Sequence, residues 1–92
     1  MNKSDRLEDV FCSKVRMRIL KILLQLGQLN ISDIANRLGI NYGATVTHLR
    51  ILENNGVVQI RLYGRVRLCR LNDSPKAKAI QEVLETWEKP DL

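Results

Sequence analysis

Aromatic side chains are scarce in this chain of 92 residues: Phe11, Tyr42, Tyr63 and Trp87 are the whole set. A core must therefore be mostly Leu, Ile and Val, and a hydrophobic content of 45% supplies enough of them. Histidine occurs once, as His48, and cysteine twice, as Cys12 and Cys69, with no CxxC or other metal-ligand spacing. No glycine-rich phosphate loop is present, and no Ser-His-Asp arrangement with a glycine-bounded nucleophile. These absences argue against an enzyme and against a bound metal or cofactor. No apolar run approaches the length of a membrane span. The N-terminus, MNKSDRLEDV, is charged and lacks the apolar stretch of a signal peptide. The expectation is a cytoplasmic protein with reduced thiols and no membrane partner, with a disulfide within or between chains left as an open alternative.

Acidic charge is also in deficit, and unevenly so. The formal net charge is +5, which favours a polyanionic partner without proving one. Residues 57–71 hold Arg61, Arg65, Arg67 and Arg70 and no acid, whereas residues 72–92 set Lys76, Lys78 and Lys89 against Asp73, Glu82, Glu85, Glu88 and Asp91. The length allows one domain spanning residues 1–92. A domain this small often gains stability by pairing with a copy of itself.

What is present is organised around Ile31 to Gly56. Ile31, Ile34, Ala35 and Leu38 recur at helical spacing, with Ser32 in position to cap the run and Gly39 to end it. Asn41 offers a second N-cap, for a helix over residues 41–55 that stops at Asn54-Asn55-Gly56. Two helices this close, joined by a short glycine-bearing turn, make a helix-turn-helix. On the second helix Thr45, Leu49 and Leu52 face inward with His48 beside them. Gly43, Thr47, Arg50 and Asn54 centre the outer face, flanked by Ala44 and Val46. That face is small and polar toward its N-terminus, which suits close entry into a major groove. Arg50 could take guanine or phosphate, Thr47 a hydroxyl contact to either, and Val46 or Ala44 a thymine methyl. Asn41 and Tyr42, at the positive end of the helix dipole, are placed for a phosphate.

Before this motif, a short helix over residues 3–12 puts Leu7, Val10 and Phe11 on one face. Ser13 caps a longer helix from Lys14 to Leu26, closed by Gly27. Its apolar residues cover most of its circumference and leave Lys14, Arg18, Lys21 and Gln25 to solvent, so it is the central helix. Leu29 could form a minimal strand. After Gly56 the period changes to two, giving a hairpin over residues 57–71. A three-residue loop, Leu62-Tyr63-Gly64, would pair Ile60 with Val66 and Arg61 with Arg65. That register segregates Val58, Ile60, Val66 and Leu68 on one face and puts Arg61, Arg65 and Arg67 together on the solvent face. Arg70 then falls on the apolar side and either snorkels or pairs with an acid. Ser74-Pro75 starts a last helix over residues 75–89, with Ala77, Ile80, Val83, Leu84 and Trp87 as its stripe and Pro90 ending it.

The segment INYGATVTHLRILENNGVV resembles a pattern of the winged helix-turn-helix DNA-binding domains of prokaryotic transcription regulators, especially ArsR-like and related archaeal ones. Asn41, Tyr42, His48, Leu49, Leu52, Gly56 and Val58 carry it. Ala35, Gly39 and the Gly64-Arg65 pair fall on further typical positions, and Ala44-Thr45 departs from the usual Thr-Val. The resemblance covers residues 13–71 well and the outer helices more loosely. It implies a mostly α fold with a β-hairpin wing, helix 41–55 in the major groove, and the wing on the DNA backbone or minor groove. It gives His48 a packing or hydrogen-bonding role. The Cys-rich metal-sensing motif of ArsR metalloregulators is absent, and no small-molecule effector site is evident.

The expected function is therefore a sequence-specific, double-stranded DNA-binding transcription regulator, most simply a repressor. Its contacts would come from Asn41, Tyr42, Gly43, Ala44, Val46, Thr47, Arg50, Arg61, Arg65 and Arg67. The stripes Leu7/Val10/Phe11 and Ile80/Val83/Leu84/Trp87 exceed what a small helical core needs and are expected to form a homodimer interface. Two recognition helices would then reach half-sites roughly 34 Å apart. The rival expectation is a winged helix that serves as a protein-interaction module in a transcription assembly.

Overall fold

A computed structural model describes residues 6–89. Five helices and three short strands follow in the order α1 (Leu7–Phe11), α2 (Lys14–Leu26), β1 (Gln28–Asn30), α3 (Ile31–Leu38), α4 (Tyr42–Asn54), β2 (Val58–Tyr63), β3 (Val66–Leu71) and α5 (Pro75–Glu88). The expected first helix thus begins at Leu7; residues 3–5, and Pro90 at the other end, lie outside the described residues.

Local chemistry sets most of these boundaries. The Ser13 hydroxyl accepts from the Arg16 N–H, the Asn41 side chain from the Ala44 N–H, and the Ser74 hydroxyl from the Ala77 N–H. Each satisfies one of the amide donors that a helix start leaves unpaired. The α3 cap differs from expectation. Asn30, not Ser32, is the N-cap, and its side chain accepts from the Asp33 N–H at 2.7 Å. Ile31 belongs to the buried stripe and must already be helical, so the cap falls just before it. At the far end Gly39 adopts φ +70°, which lets the Ile40 N–H return to the Ala35 carbonyl at 3.1 Å. α4 ends similarly: Gly56 has φ +76° and the Val57 N–H returns to the Leu52 carbonyl at 2.9 Å.

The core is mostly aliphatic. Ile19, Leu20 and Leu23 of α2, Ile34 of α3, and Leu49 and Leu52 of α4 meet Val58, Cys69 and Leu71 of the sheet, and Ile80 and Leu84 of α5 close it. The strands run in the order β1-β3-β2, antiparallel. Leu29 does pair as a minimal strand, opposite Cys69.

The hairpin register corrects the expected one. Tyr63 pairs with Val66, Leu62 with Arg67, Arg61 with Leu68, Ile60 with Cys69 and Val58 with Leu71. The loop is therefore the two residues Gly64-Arg65, with Gly64 at φ +62° in the first central position, as a type II′ turn requires. Val66 and Leu68 stand on the outer face, and Cys69 and Leu71 take the buried positions. The base of the hairpin explains the choice. The Asn72 N–H donates to the Val57 carbonyl at 2.9 Å, and the Asn72 amide and Ser74 hydroxyl both donate to the Gly56 carbonyl. Those bonds fix the strands from the base and put Leu71 opposite Val58. The helix-turn-helix followed by this hairpin is a winged helix-turn-helix.

Candidate nucleic-acid interface

The outward face of α4 matches the helical-wheel expectation. Thr45, Leu49 and Leu52 are buried, whereas Tyr42, Gly43, Thr47, Arg50 and Asn54 are exposed and Ala44 and Val46 are half-buried. Thr45 is kept inside without loss, because its hydroxyl donates to the Asn41 carbonyl at 2.9 Å. The Thr47 hydroxyl donates to the Gly43 carbonyl at 3.1 Å, so on this face it is free only to accept. Asn41 is exposed with its Oδ1 turned to the Ala44 N–H, at 2.7 Å. A Cβ at Gly43 would meet only that Oδ1 at 3.5 Å, so glycine here thins the helix face rather than relieving a clash.

The wing does not present its arginines as one set. Arg67 shares the inner parity with Cys69 and Leu71, and at the far end of the sheet that parity opens into a groove between wing and α4. Val46, Arg50 and Glu53 of α4 line it together with Ile60, Leu62 and Arg67 of the wing. Arg61 lies on the opposite face, across from Leu68, and Arg65 sits in the exposed turn. The expectation that Arg61, Arg65 and Arg67 share one face is thus corrected: a one-residue change of register moves a side chain to the other side of the sheet. Arg70 likewise lies outside, where it donates to Gln59 at 3.4 Å and pairs with Asp73 at 3.5 Å. Among the described residues, the side chains of Arg50, Arg61, Arg65 and Arg67 have no hydrogen-bond or ion-pair partner. Glu53 in the groove is the acid that sequence reasoning passed over; its position at helical spacing from Arg50 was the available signal.

The outer helices divide the expected interface residues. Val10, Ile80 and Leu84 are buried in the protomer's own core, and Phe11 is half-buried against it. Leu7, Val83 and Trp87 are exposed by 72%, 47% and 82%. Val10, Ile80 and Leu84 therefore serve first as core residues of the protomer, with Val10 and Ile80 reaching only the floor of a surface groove. Leu7, Phe11, Val57, Ile80 and Val83 line an apolar groove of about 300 Å³ between α1 and α5, and Trp87 follows Val83 one turn along the same helix.

His48 is half-buried, and its Nδ1 lies 2.9 Å from Arg16 Nη1. Burial first, and the Arg16 charge second, hold its pKa below the ordinary 6.5. Arg16 was the unexpected partner; its signal was a cation on α2 outside the solvent strip. Among the described residues no group of His, Cys, Asp or Glu is placed to hold a metal ion, and no helix is long and apolar enough to cross a membrane.

A family model described as bacterial regulatory protein, arsR family, matches residues 13–59, more than half of the chain. The chain belongs to that family. Solved structures agree with the fold. HlyU from Vibrio cholerae superposes with a TM-score of 0.76 at 27% identity, over 89% of this chain and 87% of that one. The homodimeric winged helix-turn-helix DNA-binding domain Mb0332 from Mycobacterium bovis gives 0.73 at 22%, over 85% and 70%. The antimony-specific transcriptional repressor AntR gives 0.70 at 23%, over 85% and 69%. No curated protein matches the chain.

Proposed function

We propose that this protein is a homodimeric, sequence-specific double-stranded DNA-binding transcription regulator that represses where its operator overlaps a promoter. The observation that carries the reading is the groove shared by Arg50 of α4 and Arg67 of the wing. Two arginines with no protein partner line it, one from each of the elements a winged helix applies to a duplex. A DNA backbone strand fits such a groove, because phosphates neutralise both guanidinium groups and release counterions. α4 then enters the major groove with Gly43, Ala44, Val46 and Thr47 toward base edges, while Asn41 and Tyr42 bring its N-terminus to a phosphate. Arg65, at the wing tip, and Arg61, on the wing's other face, reach backbone or minor groove beyond. The exposed apolar residues of α1 and α5 supply the contact between copies. The homodimeric state of Mb0332 supports this assembly by analogy of fold.

Fluorescence anisotropy with duplex DNA across a salt series tests the reading. Affinity should fall steeply with salt, and the variant lacking Arg50, Arg65 and Arg67 should lose binding to every sequence. Unchanged binding by that variant at low salt would refute it. Selection from a random duplex pool would then give the operator and the half-site spacing.

A further inference from the structure

One guanidinium joins three helices. Arg16 lies in the first turn of α2, where its N–H is already held by the Ser13 hydroxyl. Its Nε donates to the Asp9 carbonyl of α1 at 2.5 Å, and its Nη1 lies 2.9 Å from His48 Nδ1 on α4. α1 has five residues, and its N-cap Arg6 makes no side-chain cap bond. A helix so short does not hold itself in water. Val10 anchors it in the core, and Arg16 satisfies one of its last carbonyls.

We propose that Arg16 is a positioning residue for the recognition helix, clamping α1 to α4 and holding His48 as the neutral tautomer protonated on Nε2. The tautomer follows from donor chemistry. A guanidinium has five N–H donors and no acceptor, so the Nδ1 it touches must supply a lone pair and the ring proton must sit on Nε2. A protonated His48 would instead set two cations against each other. The inference rests on the DNA-binding reading above, since the position of α4 matters only if its outer face is read against bases. It goes further by linking two surfaces that the reading treats separately. α1 carries the exposed Leu7 at the groove assigned to the second copy, and α4 carries the base-reading face. The seat of one therefore fixes the tilt of the other, through a half-buried residue whose guanidinium is engaged by Asp9 and His48.

The test compares Arg16→Met, His48→Gln and His48→Leu in the full chain, each first checked for a cooperative melt. The imidazole nitrogen shifts of His48, the only histidine in the chain, report the tautomer directly by NMR. The wild type should show the Nε2–H form alone, and Arg16→Met a mixture. Affinity is then measured for the selected operator and for random duplex over a salt series. Arg16→Met and His48→Leu should cut the operator-to-random ratio by about tenfold, within the range that coupling residues produce. His48→Gln, whose amide oxygen can still accept from Arg16, should keep most of that ratio. The salt slope should not change, because Arg16 neutralises no phosphate. A slope reduced by about one would move Arg16 onto the DNA backbone and overturn the proposal. A mixed tautomer in the wild type, or an unchanged ratio in Arg16→Met, would also overturn it. If the wild type bound no duplex, the DNA reading would fail and this role with it, while the tautomer readout would still show whether the clamp exists.

Discussion

Arg61 and Arg67 emerge from opposite faces of the wing: Arg61 stands across from Leu68 on the outer face, and Arg67 across from Leu62 on the face that looks toward Arg50. This predicts which arginines act together. Residues that share a groove and a ligand couple, whereas separated ones add. In double-mutant cycles on duplex affinity, Arg50→Ala and Arg67→Ala should show a coupling energy of about 0.5–3 kcal/mol. Arg50→Ala with Arg61→Ala should be additive to within about 0.5 kcal/mol. Coupling confined to the Arg61 pair would mean that the backbone strand runs on the other side of the wing.

The outer helices predict two kinds of mutational effect within one apolar stripe. Trp87 and Leu7 are largely exposed, so Trp87→Glu and Leu7→Glu remove little packing inside the protomer. Each should yield a folded monomer by analytical ultracentrifugation, with weakened operator binding. Ile80→Ala and Leu84→Ala, which open the protomer's own core, should instead destabilise folding by about 2–5 kcal/mol in denaturant titrations. If Trp87→Glu remained dimeric, the copies would pair through another surface.

How much of this could be read in advance depended on how local the deciding interaction is. Asn41, Ser13 and Ser74-Pro75 cap helices through bonds to residues three positions on, and those starts were legible in the sequence. Leu29 as a strand and the buried Thr45, Leu49 and Leu52 followed from period and phase. The wing register did not, because local alternation pointed the wrong way. Val66 and Leu68 look like the inward residues of β3, yet Cys69 and Leu71 are buried. Bonds from Asn72 and Ser74 to Gly56 and Val57 decide it, between residues distant in sequence. The same limit hid the Arg16–His48 contact, since a cation between two apolar stripes marks a constraint but does not name its partner. The apolar stripes of α1 and α5 were visible, but not which of their residues the protomer keeps for itself.

The two thiols should differ sharply in reactivity. Cys69 is fully buried on β3, and burial, with a smaller effect from the Glu53 carboxylate, pushes its pKa up to about 12; Cys12 is exposed at the end of α1. The thiolate is the reactive form. Iodoacetamide at neutral pH should therefore modify Cys12 in the native protein and Cys69 only after unfolding, as read by mass spectrometry of the peptides. The raised pKa also has a stability consequence. The unfolded chain gives up the Cys69 proton near pH 9 and the folded one does not, so stability should decline as pH rises through that range and beyond. Cys69→Ser, although it opens a small packing defect, should flatten this alkaline decline. Rapid labelling of Cys69 in the native state would show that the wing detaches from the core without global unfolding.

His48 predicts a decline on the acid side. Its pKa is lowered in the folded protein, so below 6.5 the unfolded chain takes up a proton that the folded one resists. Stability then rises with pH wherever the unfolded state binds more protons. The contribution is complete above about pH 6.5, the unfolded value, and is lost as the pH falls from there through the lower folded value. Melting temperatures measured across that window should drop for the wild type. In His48→Gln, which keeps an acceptor for Arg16 and cannot titrate, the drop should be smaller by the histidine's share. Every other ionisable group is common to the two proteins, so the difference between the two curves isolates the imidazole. Parallel curves would mean that the imidazole takes up its proton as readily in the folded chain as in the unfolded one, and that the Arg16 contact does not persist in solution.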